Sequence, residues 1–169
     1  INNGIRISAA HIDSPRVDLK QCPVYEDGGM GFFKTHYYGG IRKYQWVTVP
    51  LALHGVIIKA DGTSVKVAIG ENDDDPIFYI NDLLPHLGHA TDAKPLGEAI
   101  PGENLNILIG SRPLSGEGSD AIKLNILTIL NEKYGITEED FLSAELCAVP
   151  AMKARDIGFD RSLIGAYGH

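Results

Sequence analysis

The chain has 169 residues, of which 44% are hydrophobic and 22% are charged, and these proportions are typical of a globular domain with an ordinary core. Its formal net charge of −7 argues against nucleic-acid binding, because neutralising phosphates requires clustered Lys and Arg residues that are absent here. The longest apolar stretch, residues 47–58, is too short to cross a membrane and is interrupted by polar residues. The two cysteines, Cys22 and Cys147, show no metal-type spacing, so a reducing, cytoplasmic setting is expected.

The first predicted strand begins at residue 4 and carries a His-x-Asp triplet, residues 11–13, at its end. Pro15 follows closely and ends the run, because proline lacks the N–H that a central strand donates. Since alternate residues of a strand lie on the same side of a sheet, the strand would place His11 and Asp13 on one face. An imidazole there can bind a metal ion, and a neighbouring carboxylate can hold the ring in its ligating orientation. A histidine beside a solvated aspartate is the alternative, and the triplet alone leaves both open.

The next segments have the alternation and the turn residues of β-structure. Residues 16–20 alternate polar and apolar side chains and residues 30–38 are rich in aromatic side chains, so each is predicted to form a strand. Residues 46–49 are predicted to begin a meander that continues as a hairpin over 52–69. The hairpin has the strongest signal, because its Asp-Gly turn can take positive φ at both central positions. Further short strands are predicted over 77–80, 105–109 and 141–149.

The remaining segments are predicted to be loops and one long helix. The acidic run 71–75 lacks the ligand spacing of a calcium loop and is expected to be a solvated loop. Residues 90–104 are rich in Pro and Gly and are expected to form a long loop. A helix capped by Ser119 is predicted to run to about Tyr134 and to end at Gly135. Its apolar residues spread wider than one stripe, which favours burial on two sides, partly at a subunit interface.

Three other histidines, His36, His86 and His89, have a side chain that could serve as a ligand or a catalytic group. His36 lies among tyrosines on a predicted strand, where a packed and hydrogen-bonded histidine is more common than a ligand, so we leave it out of the candidate site. His86 and His89 lie three residues apart near a predicted helix end. As a bare pair they are expected to be surface groups.

Five short segments occur in an order that identifies a family. They are Ala-His-Ile-Asp-Ser-Pro-Arg-Val-Asp-Leu-Lys at 10–20, Lys-Thr-His-Tyr-Tyr-Gly-Gly at 34–40, Leu-Leu-Pro-His-Leu at 83–87, Ser-Ala-Glu-Leu at 143–146 and Ile-Gly-Ala-Tyr-Gly at 164–168. Together they resemble the aspartyl aminopeptidases, the M18 family of cocatalytic zinc exopeptidases. The resemblance covers essentially the whole chain.

The resemblance implies roles for individual residues. His11 corresponds to a zinc ligand, and Asp13 to the acidic residue that steadies it and supports catalysis. His86 or His89 corresponds to a histidine that reaches the active site of a neighbouring subunit, and His86 is taken as the catalytic candidate. The implied cofactor is a pair of zinc ions, with cobalt or manganese as possible substitutes, whose bridging water attacks the peptide. Acidic N-terminal residues are the substrates that the family name implies, although no cationic specificity pocket is identifiable.

The resemblance also implies an architecture and an assembly. The expected fold class is α+β, with a β-rich inserted dimerisation or lid domain and a few helices at 45–150. Residues 1–44 and 151–169 would be strands of an incomplete α/β zinc-exopeptidase domain. The expected assembly is a homo-oligomer in which dimers build a dodecamer.

Most of the family's metal ligands and its Glu-Glu pair would follow His169, and no initiating methionine is present. We therefore expect an internal piece of a longer enzyme, which acts on peptides and is inactive when isolated. The alternative is an assembly domain without chemistry of its own. It would build the oligomer and restrict access to the active site.

Overall fold

The computed structural model of the chain describes residues 4–10, 14–116 and 118–167. Within these residues the strands are β1 (Arg16–Asp27), β2 (Met30–Tyr38), β3 (Leu51–Ile58), β4 (Ser64–Ile69), β5 (Ile107–Gly110), β6 (Ala144–Pro150), β7 (Arg155–Ile157) and β8 (Leu163–Gly165). The α-helices of the same part are α1 (His89–Asp92), α2 (Leu96–Ala99) and α3 (Ala121–Tyr134), and short 3-10 helices lie at Lys43–Gln45, Gly102–Asn104 and Glu139–Ser143. None of these helices is long and apolar enough to span a membrane.

Six strands form one sheet in the order β4-β3-β6-β1-β2-β5, and β7 and β8 pair separately. Every neighbouring pair in the large sheet is antiparallel. β6 joins the two N-terminal hairpins, because it pairs along its whole length with β3 and, on its other side, with β1 at Val17 and Asp18. The expected α+β class is confirmed as a mixed fold with a mostly antiparallel sheet.

The predicted domain boundary at residue 44 falls between β2 and β3. In the described residues, however, β1 and β2 lie in the same sheet as β3 to β6. Sheet membership therefore does not separate residues 1–44 from 45–150. The three-part division, including the return segment 151–169, stays a prediction.

The core lies along the large sheet and under the segments that cover it. Its completely buried apolar members are Val17, Leu51, Ala52, Ile57, Ile80, Leu105, Ile107 and Ala148. Helix α3 packs against β1, β2 and β5 at one end of the sheet. Gly110 permits this approach, because a Cβ there would lie only 2.7 Å from Cδ1 of Ile126. Burying each large aliphatic side chain of this kind stabilises a fold by roughly 1.5–3 kcal/mol.

Helix α3 begins with a cap from a distant strand rather than from its own N-terminal residues. Asp120 precedes the helix in a left-handed conformation and makes no side-chain cap. Instead, the Glu26 carboxylate at the end of β1 accepts the N–H groups of Ile122 at 2.8 Å and Lys123 at 3.2 Å. The predicted cap at Ser119 is therefore wrong, since two of the N–H groups that lack a partner within the helix are satisfied by a residue distant in sequence. The predicted stop at Gly135 is confirmed by its left-handed conformation and its N–H bond to the Asn131 carbonyl.

The predicted strands over 16–20 and 30–38 and the hairpin over 52–69 are confirmed. β1 also continues beyond its predicted end and runs through Pro23 to Asp27. Pro23 is tolerated because the β1–β2 register shifts at this point, where the neighbouring Cys22 has φ 47. The acidic run 71–75 is a turn, as expected.

Three further local predictions are wrong. The described part of the first predicted strand, residues 4–10, forms no strand; it is exposed, and no described strand pairs with it. Residues 46–49 form a turn, and its apolar residues Trp46 and Val47 are buried. Their apolar character therefore reflects burial in the core rather than pairing in a sheet. Residues 90–104 contain two α-helices and a 3-10 helix, because their prolines precede the first helical turns and are compatible with helix starts.

Candidate functional site

The two residues that carry the strongest prediction, His11 and Asp13, lie outside the described residues. The structure does describe the segment that follows them. Ser14 and Pro15 are half-buried and lead directly into β1 at Arg16. The described part of the candidate site therefore begins at the start of β1.

Four side chains meet at the start of β1, and we call them the β1 start cluster: Arg16, Asp18, His36 and Tyr38. The antiparallel register pairs Arg16 with Tyr38 and Asp18 with His36. Because alternate residues share a face and paired residues lie opposite each other, all four lie on one face of the sheet.

The cluster is held together by charge and by an aromatic face. The Nε of Arg16 donates a hydrogen bond to Oδ1 of Asp18 at 2.7 Å, and its guanidinium carbon lies 4.0 Å above the centroid of the Tyr38 ring. Nε2 of His36 lies 3.8 Å from the other oxygen of Asp18. The hydrogen bond to Asp18 raises the pKa of Arg16, so this side chain stays charged.

A shallow pocket of about 440 Å³ lies beside the cluster and is lined by Arg16, Asp18, Leu19 and residues 144–147 of β6. Cys147 belongs to this lining because it is the β6 partner of Asp18. Burial raises the pKa of the Cys147 thiol, and the negative charge of Asp18 raises it further. The thiol is therefore kept protonated at neutral pH, which slows its reactions.

Tyr167, near the C-terminus, packs against the hydrophobic core. Its ring meets Trp46 edge-on, with 6.4 Å between centroids. Its hydroxyl is buried and finds no hydrogen-bond partner among the described residues, and burial raises its pKa. Residues 164–167 are thus attached to the core through this tyrosine.

The environments of the two cysteines predict different reactivity towards iodoacetamide. Cys22 is exposed, whereas Cys147 is half-buried and its pKa is raised. We expect Cys22 to be alkylated about tenfold faster or more at neutral pH, because only a thiolate that the reagent can reach reacts. Peptide mass spectrometry of samples quenched at successive times measures both rates. Equal rates at neutral pH would contradict the burial of Cys147.

His86 and His89 lie on a different part of the surface. His86 is in the turn before α1, His89 is the first residue of α1, and both are exposed. The leucines around His86 are exposed as well, at 57% for Leu83, 60% for Leu84 and 61% for Leu87. The structure thus confirms that both histidines are surface groups and leaves open which of them has the predicted role.

The last carboxylate of the acidic run 71–75 is used within the run itself. Oδ2 of Asp75 accepts the N–H groups of Gly70 at 3.2 Å and Asn72 at 3.1 Å, and these bonds lower the pKa of Asp75. The carboxylate closes its own loop.

The described residues do not by themselves form a zinc site. Across 4–10, 14–116 and 118–167, no group of three or more His, Cys, Asp or Glu side chains is arranged to hold a metal ion. His11 fits zinc by donor chemistry, since a neutral imidazole is a common zinc ligand, and it lies outside these ranges. A zinc site in this protein therefore requires His11 and further ligands outside the described residues.

Comparison with known proteins identifies the family. The model of the family described as "Aminopeptidase I zinc metalloprotease (M18)" matches residues 1–169. The chain belongs to the M18 peptidase family. It is 60% identical over 166 residues to the probable M18 family aminopeptidase 1 of Clostridium acetobutylicum, an alignment that covers 98% of this chain and 36% of the relative. This M18 chain thus spans little more than a third of the length of that relative.

Solved M18 structures have the same fold. The crystal structure of an M18 aminopeptidase from Thermotoga maritima superposes with a TM-score of 0.89 at 55% identity, over 94% of this chain and 35% of that one. The crystal structure of aminopeptidase I from Clostridium acetobutylicum gives 0.85 at 56% identity, over 92% and 34%. The resemblance inferred from short motifs is confirmed.

Sequence reasoning missed the β1 start cluster and Cys147. The signal available in the sequence was the spacing of two, which places Arg16 with Asp18 and His36 with Tyr38 on common faces of their strands. It was insufficient because only the register shows that the two pairs lie opposite each other. The pairing with β6, which brings in Cys147, has no local sequence signal.

Proposed function

We propose that the protein to which this M18 chain belongs is a metallo-aminopeptidase, which hydrolyses N-terminal residues from peptides, and that this chain contributes part of its active site. One observation carries the proposal: the family match extends over the whole chain, residues 1–169. The 60% identity to a probable M18 aminopeptidase supports it. A narrower form of the proposal, based on the family name alone, is that the cleaved residues are acidic.

The proposed roles follow the family motif. His11 is a zinc ligand, and Asp13 orients the imidazole and favours the tautomer that binds metal. A pair of zinc ions, when bound, supplies a nucleophilic water near neutral pH and polarises the scissile carbonyl. One imidazole cannot hold such a pair, so the proposal requires further ligands from elsewhere in the complete protein.

His86 is proposed to act in a neighbouring subunit, with His89 as the alternative. Its exposure supports this role, because a side chain must leave its own core to reach another subunit's active site. The exposed leucines on either side of it provide apolar surface that an interface would bury.

A second candidate function is assembly without chemistry. The exposed leucine-rich segment around His86 favours it, since an interface domain needs such a surface. Under this proposal residues 45–150 are an inserted domain that builds the oligomer, in which dimers form a dodecamer. The same domain controls access to the active sites. A cytoplasmic location is proposed because both cysteines are free thiols.

The test compares the complete protein with the isolated 169-residue chain. We expect the complete protein to cleave aminoacyl nitroanilides and to lose this activity on chelation, with recovery on zinc addition. We expect the isolated chain to cleave none, even with added zinc or cobalt, because one ligand cannot assemble the metal pair. The absorbance of the released nitroaniline measures the activity of both proteins.

Two outcomes would contradict these expectations. Chelator-sensitive turnover by the isolated chain would show that its own residues suffice. Absence of aminopeptidase activity and of bound metal in the complete protein would leave the assembly function as the surviving proposal.

A further inference from the structure

The β7–β8 hairpin, residues 155–165, exposes apolar side chains at its tip and on both of its faces. Phe159 at the tip is completely exposed, and Leu163 and Ile164 are 62% and 74% exposed. Ile157 pairs with Leu163 and Asp156 pairs with Ile164, so Ile157 and Leu163 share one face and Ile164 lies on the other. Monomeric proteins rarely expose apolar side chains this densely, and such clusters usually mark interaction sites.

One face of the β7–β8 hairpin borders a groove of about 1080 Å³, whose opposite wall is formed by residues of the acidic run 71–75. Ile157 lines this groove and lies over Gly165, where a Cβ would be only 2.9 Å from Cδ1 of Ile157. Ile164 belongs to the opposite face and is not among the lining residues. An occupant of the groove alone would therefore leave the second face of the hairpin uncovered.

The tip of the β7–β8 hairpin is held in shape by its own hydrogen bonds. Nε of Arg161 donates to Oδ2 of Asp156 at 2.7 Å, and the backbone N–H of Arg161 donates to the carbonyl of Gly158 at 3.2 Å. These bonds close the connection that carries Phe159. A side chain on a pre-organised loop loses less conformational freedom when it binds, and buried aromatic residues are frequent anchors of interfaces.

We propose that the β7–β8 hairpin docks onto the part of the complete protein that lies outside this chain, with Phe159 as the anchor of that contact. The chain covers 36% of the Clostridium relative and 35% of the Thermotoga structure, so most of a protein of that length is available to cover the hairpin. A body of that size can enclose both faces, whereas a flat contact with a second copy of this chain would cover one.

The pairing of the strands also favours an external support. β7 and β8 form a sheet of their own and do not join the six-stranded sheet. A two-stranded hairpin is at best marginally stable in water without packing against another layer. The docking contact would supply that layer.

Hydrogen exchange tests the docking directly. The amides of residues 155–165 are compared in the complete protein and in the isolated 169-residue chain. We expect their exchange to be slower by about 100-fold or more in the complete protein, because docking removes local opening of the hairpin. The amides of β3, which pairs on both sides, are the control and should be protected in both proteins. Equally fast exchange of the hairpin in both would overturn the inference.

Phe159→Ala tests the anchor. In the complete protein it should lower the unfolding temperature by about 3 °C or more, because a buried aromatic side chain is lost. In the isolated chain it should cause no shift, because Phe159 is completely exposed there. Phe159→Leu should recover part of the loss, since it keeps a large apolar side chain. Leu142→Ala is the matched control, because it removes an exposed apolar side chain in a different part of the chain.

An equal loss of stability in both proteins would overturn the inference, since Phe159 would then act within this chain. Sedimentation of the isolated chain tests the other occupant: a dimer that Phe159→Ala dissociates would assign the hairpin to a second copy and would also overturn it.

This inference rests on the proposed function only in taking the chain as part of a longer aminopeptidase, and the two can fail separately. Aminopeptidase activity of the complete protein without slowed exchange at residues 155–165 contradicts the docking alone. Slowed exchange without activity supports the docking and contradicts the proposed function.

Discussion

Replacing His11 with alanine in the complete protein is expected to abolish aminopeptidase activity and to remove zinc, while the fold is retained. The reason is that a zinc site loses one of its few direct ligands. Changes to outer partners of such ligands already cost about 10- to 100-fold in affinity, so loss of a direct ligand should cost more than about 100-fold. Asp13→Asn, which removes only the proposed orienting charge, should fall within that smaller range.

Zinc content by elemental analysis and nitroanilide turnover measure the effect. His54→Gln is the control, because His54 lies on β3, is hydrogen bonded to Glu71 at 2.7 Å and has no proposed role in the site. It should retain both zinc and activity. Full activity with two bound metals in His11→Ala would end the ligand assignment.

Gly55→Ala is expected to be the most damaging single-methyl change among the described glycines. Gly55 lies in the middle of β3, between β4 and β6, with φ +146. A Cβ there would lie 1.9 Å from the carbonyl oxygen of Glu145, which is backbone and cannot rotate away. The strands would have to separate or the residue change conformation, so we expect a loss of about 3 kcal/mol or more in the free energy of unfolding.

Urea unfolding of the 169-residue chain, followed by tryptophan fluorescence, measures this loss. Gly97→Ala in α2 is the matched control, because a Cβ there meets nothing within 4 Å and alanine favours helix. It should leave the midpoint unchanged or raise it slightly. A Gly55→Ala midpoint equal to wild type would contradict the observed packing of β3 against β6.

The local elements with short-range signals were predictable from the sequence. The Asp-Gly turn specifies the β3–β4 hairpin because its conformation requires no distant contact. Gly135 ends α3 because it adopts a left-handed conformation, which likewise requires no distant contact. Where a distant group decides the outcome, prediction failed: the cap of α3 comes from Glu26, and the burial of Trp46 comes from the core.

Family membership is the firmest conclusion that the sequence supported alone, because short motifs such as Ala-His-Ile-Asp-Ser-Pro are ordered along the chain and need no pairing to be recognised. The sequence also singled out His11, Asp13 and His86 as candidate site residues. Only the tertiary structure showed that β6 lies between β3 and β1, and that Arg16 lies against Tyr38 and beside Asp18. The physical reason is that strand order and register arise from hydrogen bonds and packing between segments far apart in the chain, which leave no local pattern in either segment.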